Sequence, residues 1–396
     1  MNGTDAAVRP AEPLLGVYLK PDTLFVAGEG PWLIAEDGRR YLDFTSGLGV
    51  NALGHGAGTV RGAVMEALDT GLVHASNLFR TEPAERLADE LAAAAFPSRV
   101  FFCNSGAEAG EAALKLARRW ARAAGGAPKH RVVAFRGSFH GRLFGTLAAT
   151  DRAAYREPFE PLMPGVDFAE LEDARGLAEL VREDQTAAVI VEPIQGEGGV
   201  RTVSFEFLAR LRELCDERGV QLIMDEVQCG LGRTGRLFAH EHAGIRPDLL
   251  MVAKPLAGGL PMGAVLAAPH VADAIRPGDH GSTFGGGPLV AHVARAVLRT
   301  LSAPEFLTAV RRRAERLDGR LRGLQARCPA VREVRGLGLM RGLRVEGEAA
   351  AVVERARERG LLVLGAGPDV VRLLPPLNTP DELLDQAARV LAAALG

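Results

Sequence analysis

Charged residues seldom close a buried strand, yet this chain does it twice. The segment "GVQLIMDEVQCGLGRTG" (Gly219 to Gly235) runs the apolar "VQLIM" into Asp225 and Glu226, and "DLLMVAKPLAGGLPMG" runs another apolar stretch into Lys254. Lysine is rare here: Lys20, Lys115, Lys129 and Lys254 are the only lysines among 47 basic residues, the rest being arginine. A charge at a buried strand end is costly unless a partner awaits it. A sheltered lysine can shed its proton and attack an aldehyde to form an imine. A carboxylate facing the same site would suit a cationic ring.

One aldehyde cofactor needs both groups. Pyridoxal phosphate is held by a lysine amine, and an acidic partner keeps its pyridine nitrogen protonated so that the ring can accept electrons. On this reading Lys254 and Asp225 stand together at the carboxyl ends of neighbouring strands. The phosphate requires donors, and "NSGAE" (Asn104 to Glu108) offers Ser105, Gly106 and Ala107 at a strand-to-helix junction, where free amides and the helix dipole attract anions. "GSTFGGGP" supplies a second loop of hydroxyls and glycines with Thr283 as donor. "FRGSFHGR" supplies Phe139, a ring able to stack on a flat cofactor. His140 reads as structural, and "GLGRTG" as a turn, since it lacks the lysine of a P-loop.

The elements that must carry these residues are legible from periodicity. "RVFFCNSG" reads as a strand running into a turn. A helix follows it with Ala113, Leu116, Ala117 and Trp120 on one face. "RVVAF", "AAVIVEP", "VQLIMDE", "DLLMVAK" and "GAVLAAP" are further strands, separated in places by helical stretches such as "FEFLARLRELCDERG". That alternation predicts an α/β fold with a mainly parallel sheet covered on both faces, its functional groups gathered at the strands' carboxyl ends. The last third changes character. "PEFLTAVRRRAERLDGRLRGLQAR" predicts a long amphipathic helix with Phe306, Val310, Leu317, Leu321 and Leu324 inward, and short strands follow. In "TPDELLDQAARVLAAALG", Thr379 and Glu382 read as a capping box, with Pro380 at the first helical position.

Composition narrows the function classes. The 396 residues suit a large domain plus a smaller one, and the balance of 47 basic against 49 acidic residues argues against nucleic acid or a membrane surface as partner. Cys103, Cys215, Cys229 and Cys328 lack metal-ligand spacing and read as free thiols in a reducing cytoplasm. "MNGTDAAVRPAEPLL" shows no leader pattern, and no apolar run is long enough to span a bilayer.

Taken together, the block from "LIMDEVQCGLGRTG" to "AKPLAGGLPMGA", and the match from "GEGPWLIAEDGRRYLDFTSGLGVNALGH" to "VVRLLPPL", resemble the class III, acetylornithine/ornithine-type, pyridoxal phosphate aminotransferases of fold type I. The resemblance implies an N-terminal segment (1–50) packed with the small domain, a large cofactor-binding domain (51–290) and a small C-terminal α+β domain (291–396). It implies Lys254 as the imine-forming lysine and Asp225 as partner of the ring nitrogen. Val227 and Phe139 would lie on opposite faces of the ring, with Gln228 near its hydroxyl. Ser105, Gly106 and Ala107 would hold the phosphate together with Thr283 from the partner of a homodimer. It further implies Arg142 and Arg372 as carboxylate receptors and Glu197 as the residue that neutralises Arg372 when an amine is presented instead. The expected reaction moves an amino group between a terminal amine, such as N-acetylornithine or another acylated or carrier-linked amine, and 2-oxoglutarate. Alternatives are an ω-amine or 4-aminobutyrate transaminase, an aminomutase, and a non-catalytic cofactor-binding regulator. The family often carries asparagine where this chain has Gly110 and Gly287, and free-ornithine enzymes carry a tyrosine where it has Leu48.

Overall fold

In the computed structural model, residues 14–124 and 129–396 are described; the stretch read above for a leader lies largely outside them. A seven-stranded sheet forms the centre. Its order is Arg99–Cys103, Gly263–Ala267, Leu249–Val252, Gln221–Asp225, Thr186–Val191, Arg131–Phe135 and Val166–Ala169. Gly263–Ala267 runs antiparallel to both its neighbours, and the other six strands share one direction. Three of the inner strands, Thr186–Val191, Gln221–Asp225 and Leu249–Val252, are buried along their whole length. That burial on both faces is why their sequences run apolar without alternation.

The helix Gly106–Ala123 covers one face, burying Ala113, Leu116 and Ala117 as its periodicity predicts. Phe205–Arg218 covers the other and ends on Gly219 at φ +55°, a left-handed stop that glycine adopts without steric cost. The helix Pro288–Ser302 packs against Gly58–Asp69 and Glu82–Ala94. The long helix Pro304–Arg327 turns Val310, Leu317, Leu321 and Leu324 inward, with Phe306 partly buried beside them. It leads to a second sheet, ordered Val331–Leu337, Met340–Val345, Val370–Leu373 and Leu364–Gly365.

The N-terminal strands Phe25–Glu29, Trp32–Ala35 and Arg40–Asp43 form a third sheet, completed by Leu361–Leu362 from near the other end of the chain, with Leu42 opposite Leu361. One expectation is corrected. The last helix spans Asp381–Leu395, and Thr379 does not cap it. The Thr379 hydroxyl is buried and donates to the Pro376 carbonyl at 2.7 Å, because proline at 380 shifts the helix start one residue beyond the threonine's reach.

Candidate active site

At the carboxyl edge of the central sheet lies a pocket of about 410 Å³, lined by residues from many separate segments. Asp225 closes the strand Gln221–Asp225, and Lys254 follows the end of Leu249–Val252 by two residues, so adjacent strands deliver both to one wall. Asp225 is held from behind. Its Oδ2 lies 2.7 Å from His140 Nδ1, and its Oδ1 accepts from the Val227 amide at 3.0 Å. A carboxylate has about four acceptor positions, so Asp225 retains capacity toward the pocket. The second strand-end acid has a different fate. Glu226 is fully buried and turns away, accepting from the His240 amide at 2.7 Å and from the Ala239 amide, with His240 Nδ1 at 2.8 Å.

His140 does more than fill space, contrary to the structural reading of it. Burial disfavours its charged form, but the hydrogen bond and charge of Asp225, with Glu192 behind them, outweigh this and hold its pKa above the ordinary histidine value. Its Nε2 is buried with no hydrogen-bond partner among the described residues. Among the described residues Lys254 makes no hydrogen bond or ion pair, and its pKa is lowered. Burial is the main cause, aided by Arg372, while Asp225, Glu197 and Glu192 pull the other way. An unpaired amine that gives up its proton easily is the state a lysine needs to act as nucleophile and base.

The anion cradle is present as well. Ser105 caps the helix Gly106–Ala123 by accepting from the Glu108 amide, and Glu108 Oε2 accepts from the Asn104 amide at 2.8 Å. The amides of Gly106 and Ala107 are left for something else. Glycine at 106 brings this cradle close to the floor of the pocket: a Cβ there would sit 2.5 Å from Val227 Cγ1. Phe139 stands in the pocket wall, its amide donating to Glu192 Oε2 at 3.0 Å. A pyridine ring with an anionic tail therefore fits this donor set, with an acid, an unpaired amine and a helix N-terminus converging on one cavity.

Two arginines are in different states, Arg142 in the pocket wall and Arg372 behind the wall residues Glu197 and Gln228. Arg372 is 1% exposed and closed: its Nη1 donates to Glu197 Oε1 at 2.6 Å and to Gln228 Oε1 at 3.2 Å. Gln228 thus supports Arg372, and its Nε2 donates to the Leu48 carbonyl at 3.3 Å. Arg142 is open. It is exposed, makes no ion pair among the described residues, and lays its guanidinium 3.4 Å from the centre of the Tyr155 ring and 5.9 Å from that of Phe139. Cation–π contact holds such a group in place while leaving its donors free.

Thr283 is exposed and does not line the pocket of the single chain. Gly110 leaves no room for a side chain, since a Cβ would lie 2.5 Å from Thr146 Cγ2 and 3.3 Å from the His140 carbonyl oxygen. Gly287 is the residue before the helix Pro288–Ser302, in the same loop as Thr283. Sequence reasoning passed over Glu192. It ends the apolar run "TAAVIVE" one residue past the strand, the same signal that marked Asp225. Its pKa is raised to about 7, chiefly by burial and also by Asp225, against His140, the Phe139 amide and Lys254. Cys229, also in the wall, is kept protonated by burial and by the neighbouring carboxylates of Glu226, Asp225 and Glu192, which removes it as a nucleophile.

The family described as aminotransferase class-III matches residues 19–395. A mitochondrial acetylornithine aminotransferase of Alnus glutinosa is 46% identical over 96% of this chain and 85% of its own length. A succinylornithine transaminase of Salmonella paratyphi A is 45% identical over 94% of this chain and 91% of its own. Among solved structures, an ornithine aminotransferase of Toxoplasma gondii with partial occupancy of PLP at its active site superposes with a TM-score of 0.91 at 32% identity, covering 97% of this chain and 92% of that one.

Proposed function

We propose, from the premise that this chain belongs to the class-III aminotransferases, that it moves an amino group from the terminal amine of an acylated diamino acid, N-acetylornithine or its succinyl counterpart, to 2-oxoglutarate. The observation that carries the substrate reading is the contrast between the two arginines: one is open at the mouth and the other is shut by Glu197. A donor with one carboxylate far from its reacting amine needs a single receptor, and Arg142 supplies it, while the Arg372–Glu197 pair presents a neutral surface to the donor's reacting end, which carries no carboxylate. A dicarboxylate needs two, and when Glu197 swings aside Arg372 becomes the second, able to grip a carboxylate bidentately.

In this reading pyridoxal phosphate would be held by Lys254 through its amine, by Asp225 at the ring nitrogen, by Val227 and Phe139 at the ring, and by Ser105, Gly106 and Ala107 at the phosphate. When bound, it supplies the electron sink that makes hydrogen on the amine-bearing carbon acidic. Lys254 Nζ would be the base that takes and gives back that proton, and its lowered pKa, caused chiefly by burial, suits it to the task. Asp225 would meet the ring nitrogen, and His140 fixes the direction in which its carboxylate points. Glu192 holds the Phe139 main chain in register with the same wall.

A homodimer and a cytoplasmic setting complete the proposal. The loop bearing Thr283 and Phe284 is exposed, as are Leu72, Val73, Leu78 and Phe79. These apolar side chains suit burial against a second copy whose Thr283 would reach this site. Among the described residues no helix is long and apolar enough to cross a membrane. The test is a donor panel with 2-oxoglutarate as acceptor: N-acetylornithine, N-succinylornithine, free ornithine, 4-aminobutyrate and simple ω-amines. The acylated donors should lead in kcat/KM. A preference for 4-aminobutyrate or plain amines would overturn the substrate, and turnover without an oxoacid would overturn the reaction.

A further inference from the structure

Glu197 can shut Arg372 reproducibly only if its main chain returns to one place after each turnover. The backbone on either side of it is packed flush. A Cβ at Gly196 would lie 1.9 Å from Gln228 Oε1, and one at Gly198 would lie 2.5 Å from the Gly137 carbonyl oxygen. That space admits only glycine, and glycines on both sides of Glu197 leave its backbone torsions free, so whatever fixes the main chain decides where the carboxylate comes to rest.

One side chain grips that main chain. Arg152 Nη2 donates to the Glu197 carbonyl. Among the described residues the Arg152 side chain makes no other hydrogen bond or ion pair, and its Nε is buried without an acceptor. A half-buried guanidinium with one carbonyl partner and no carboxylate is an expensive way to brace a loop, because desolvation is poorly compensated. The segment bearing it is itself well anchored. Asp151 accepts from the Gly137 amide at 2.9 Å and from Arg136 Nη1 at 3.2 Å. Arg152 precedes the short helix Ala153–Arg156, whose Tyr155 supports Arg142. One stretch of five residues thus touches the supports of both carboxylate receptors.

We propose that Arg152 is a positioning residue: by fixing the Glu197 main chain it sets the balance between the closed Arg372–Glu197 pair and the open Arg372 that accepts a second carboxylate. The proposal rests on the gating reading given above.

The experiment uses the pyridoxal-phosphate-loaded enzyme and Arg152→Met, which keeps an unbranched stem and removes the donors. Without the tie the closed pair is less preorganised and Arg372 is released more readily. KM for 2-oxoglutarate should fall and KM for the acylated donor should rise, changing their ratio by about 3- to 10-fold, with kcat retained. Arg152→Lys should recover part of the change. A binding readout should move in parallel: glutarate, a dicarboxylate without the reactive carbonyl, should bind Arg152→Met more tightly by calorimetry. Glu197→Gln is the reference and should shift the ratio in the same direction and further. If Glu197→Gln shifts it and Arg152→Met does not, or lowers both half-reactions equally, the role given to Arg152 is overturned. If Glu197→Gln leaves the ratio unchanged, the gate itself is wrong and this inference goes with it.

Discussion

Replacing Arg372 by alanine separates the two halves of the proposed reaction. The guanidinium removed is 1% exposed and bonded to Glu197 at 2.6 Å and to Gln228 at 3.2 Å. In the dicarboxylate half-reaction it would exchange Glu197 for a substrate carboxylate, a charge-assisted pair shielded from water. Truncating one partner of such a pair costs about 2 to 5 kcal/mol. At about 1.4 kcal/mol per decade this is roughly 30- to 4,000-fold in kcat/KM for 2-oxoglutarate. The amine donor loses less, because Arg142 reads its carboxylate and Arg372 gives it only a neutralised wall. Glu197, left alone, has a side chain 30% exposed and can be hydrated, so a loss of about 1 kcal/mol, roughly fivefold, is expected there. Single-turnover measurement of each half-reaction on one preparation, followed by the cofactor's absorbance, reads both numbers. Equal losses in the two halves would refute the division of labour between the arginines.

Lys254→Ala should abolish turnover and covalent attachment of pyridoxal phosphate, read as the loss of the mass increment that borohydride reduction fixes on the wild-type peptide; a labelled peptide would refute the assignment. Glu192→Gln should flatten the pH dependence of stability in cofactor-free protein. Folding raises the Glu192 pKa from 4.5 to about 7, so its contribution is complete below the lower value and is lost as pH rises through the upper one. At about 1.4 kcal/mol per unit the range is on the order of 3 kcal/mol, and urea midpoints between pH 5 and 8 should fall more steeply in the wild type. The raised pKa of His140 leaves some residual slope in the same direction. Gly110→Asn should destabilise by about 1 to 3 kcal/mol, since the first added carbon already meets Thr146 at 2.5 Å; an unchanged melting temperature would show that the helix can shift there without cost.

Much of the site was legible because strand ends advertise themselves. A run of apolar residues broken by Asp225 or Lys254 says both where the strand stops and that the stop has a purpose. The same signal stands at Glu192, masked by the proline that follows it. It also stands at Glu226, where only the fold shows that the partners are the amides of Ala239 and His240. Nothing local separates Asp225, which faces the pocket, from Glu226, which braces a turn; strand alternation sends them to opposite sides, but which side is the pocket is a tertiary fact. Arg152 and Tyr155 were illegible for a related reason. Their partners, Glu197 and Arg142, lie on other segments, and pairing across a fold leaves no spacing to read. At Thr379 the pattern misled, because a one-residue difference in where proline lets a helix begin decides whether a hydroxyl caps it or bonds backward.

The reversed strand Gly263–Ala267 has a mechanical consequence. Because it pairs antiparallel with Leu249–Val252, the connection carrying Lys254 leaves and re-enters the sheet at one rim, and its far foot, Leu260 to Met262, also borders the cavity. The lysine therefore rides on a stirrup slung between two fixed posts instead of on a free arm. It can let go of its cargo and take it up again without disturbing either post, and lengthening the stirrup by even one residue should misplace the amine while the sheet stays whole.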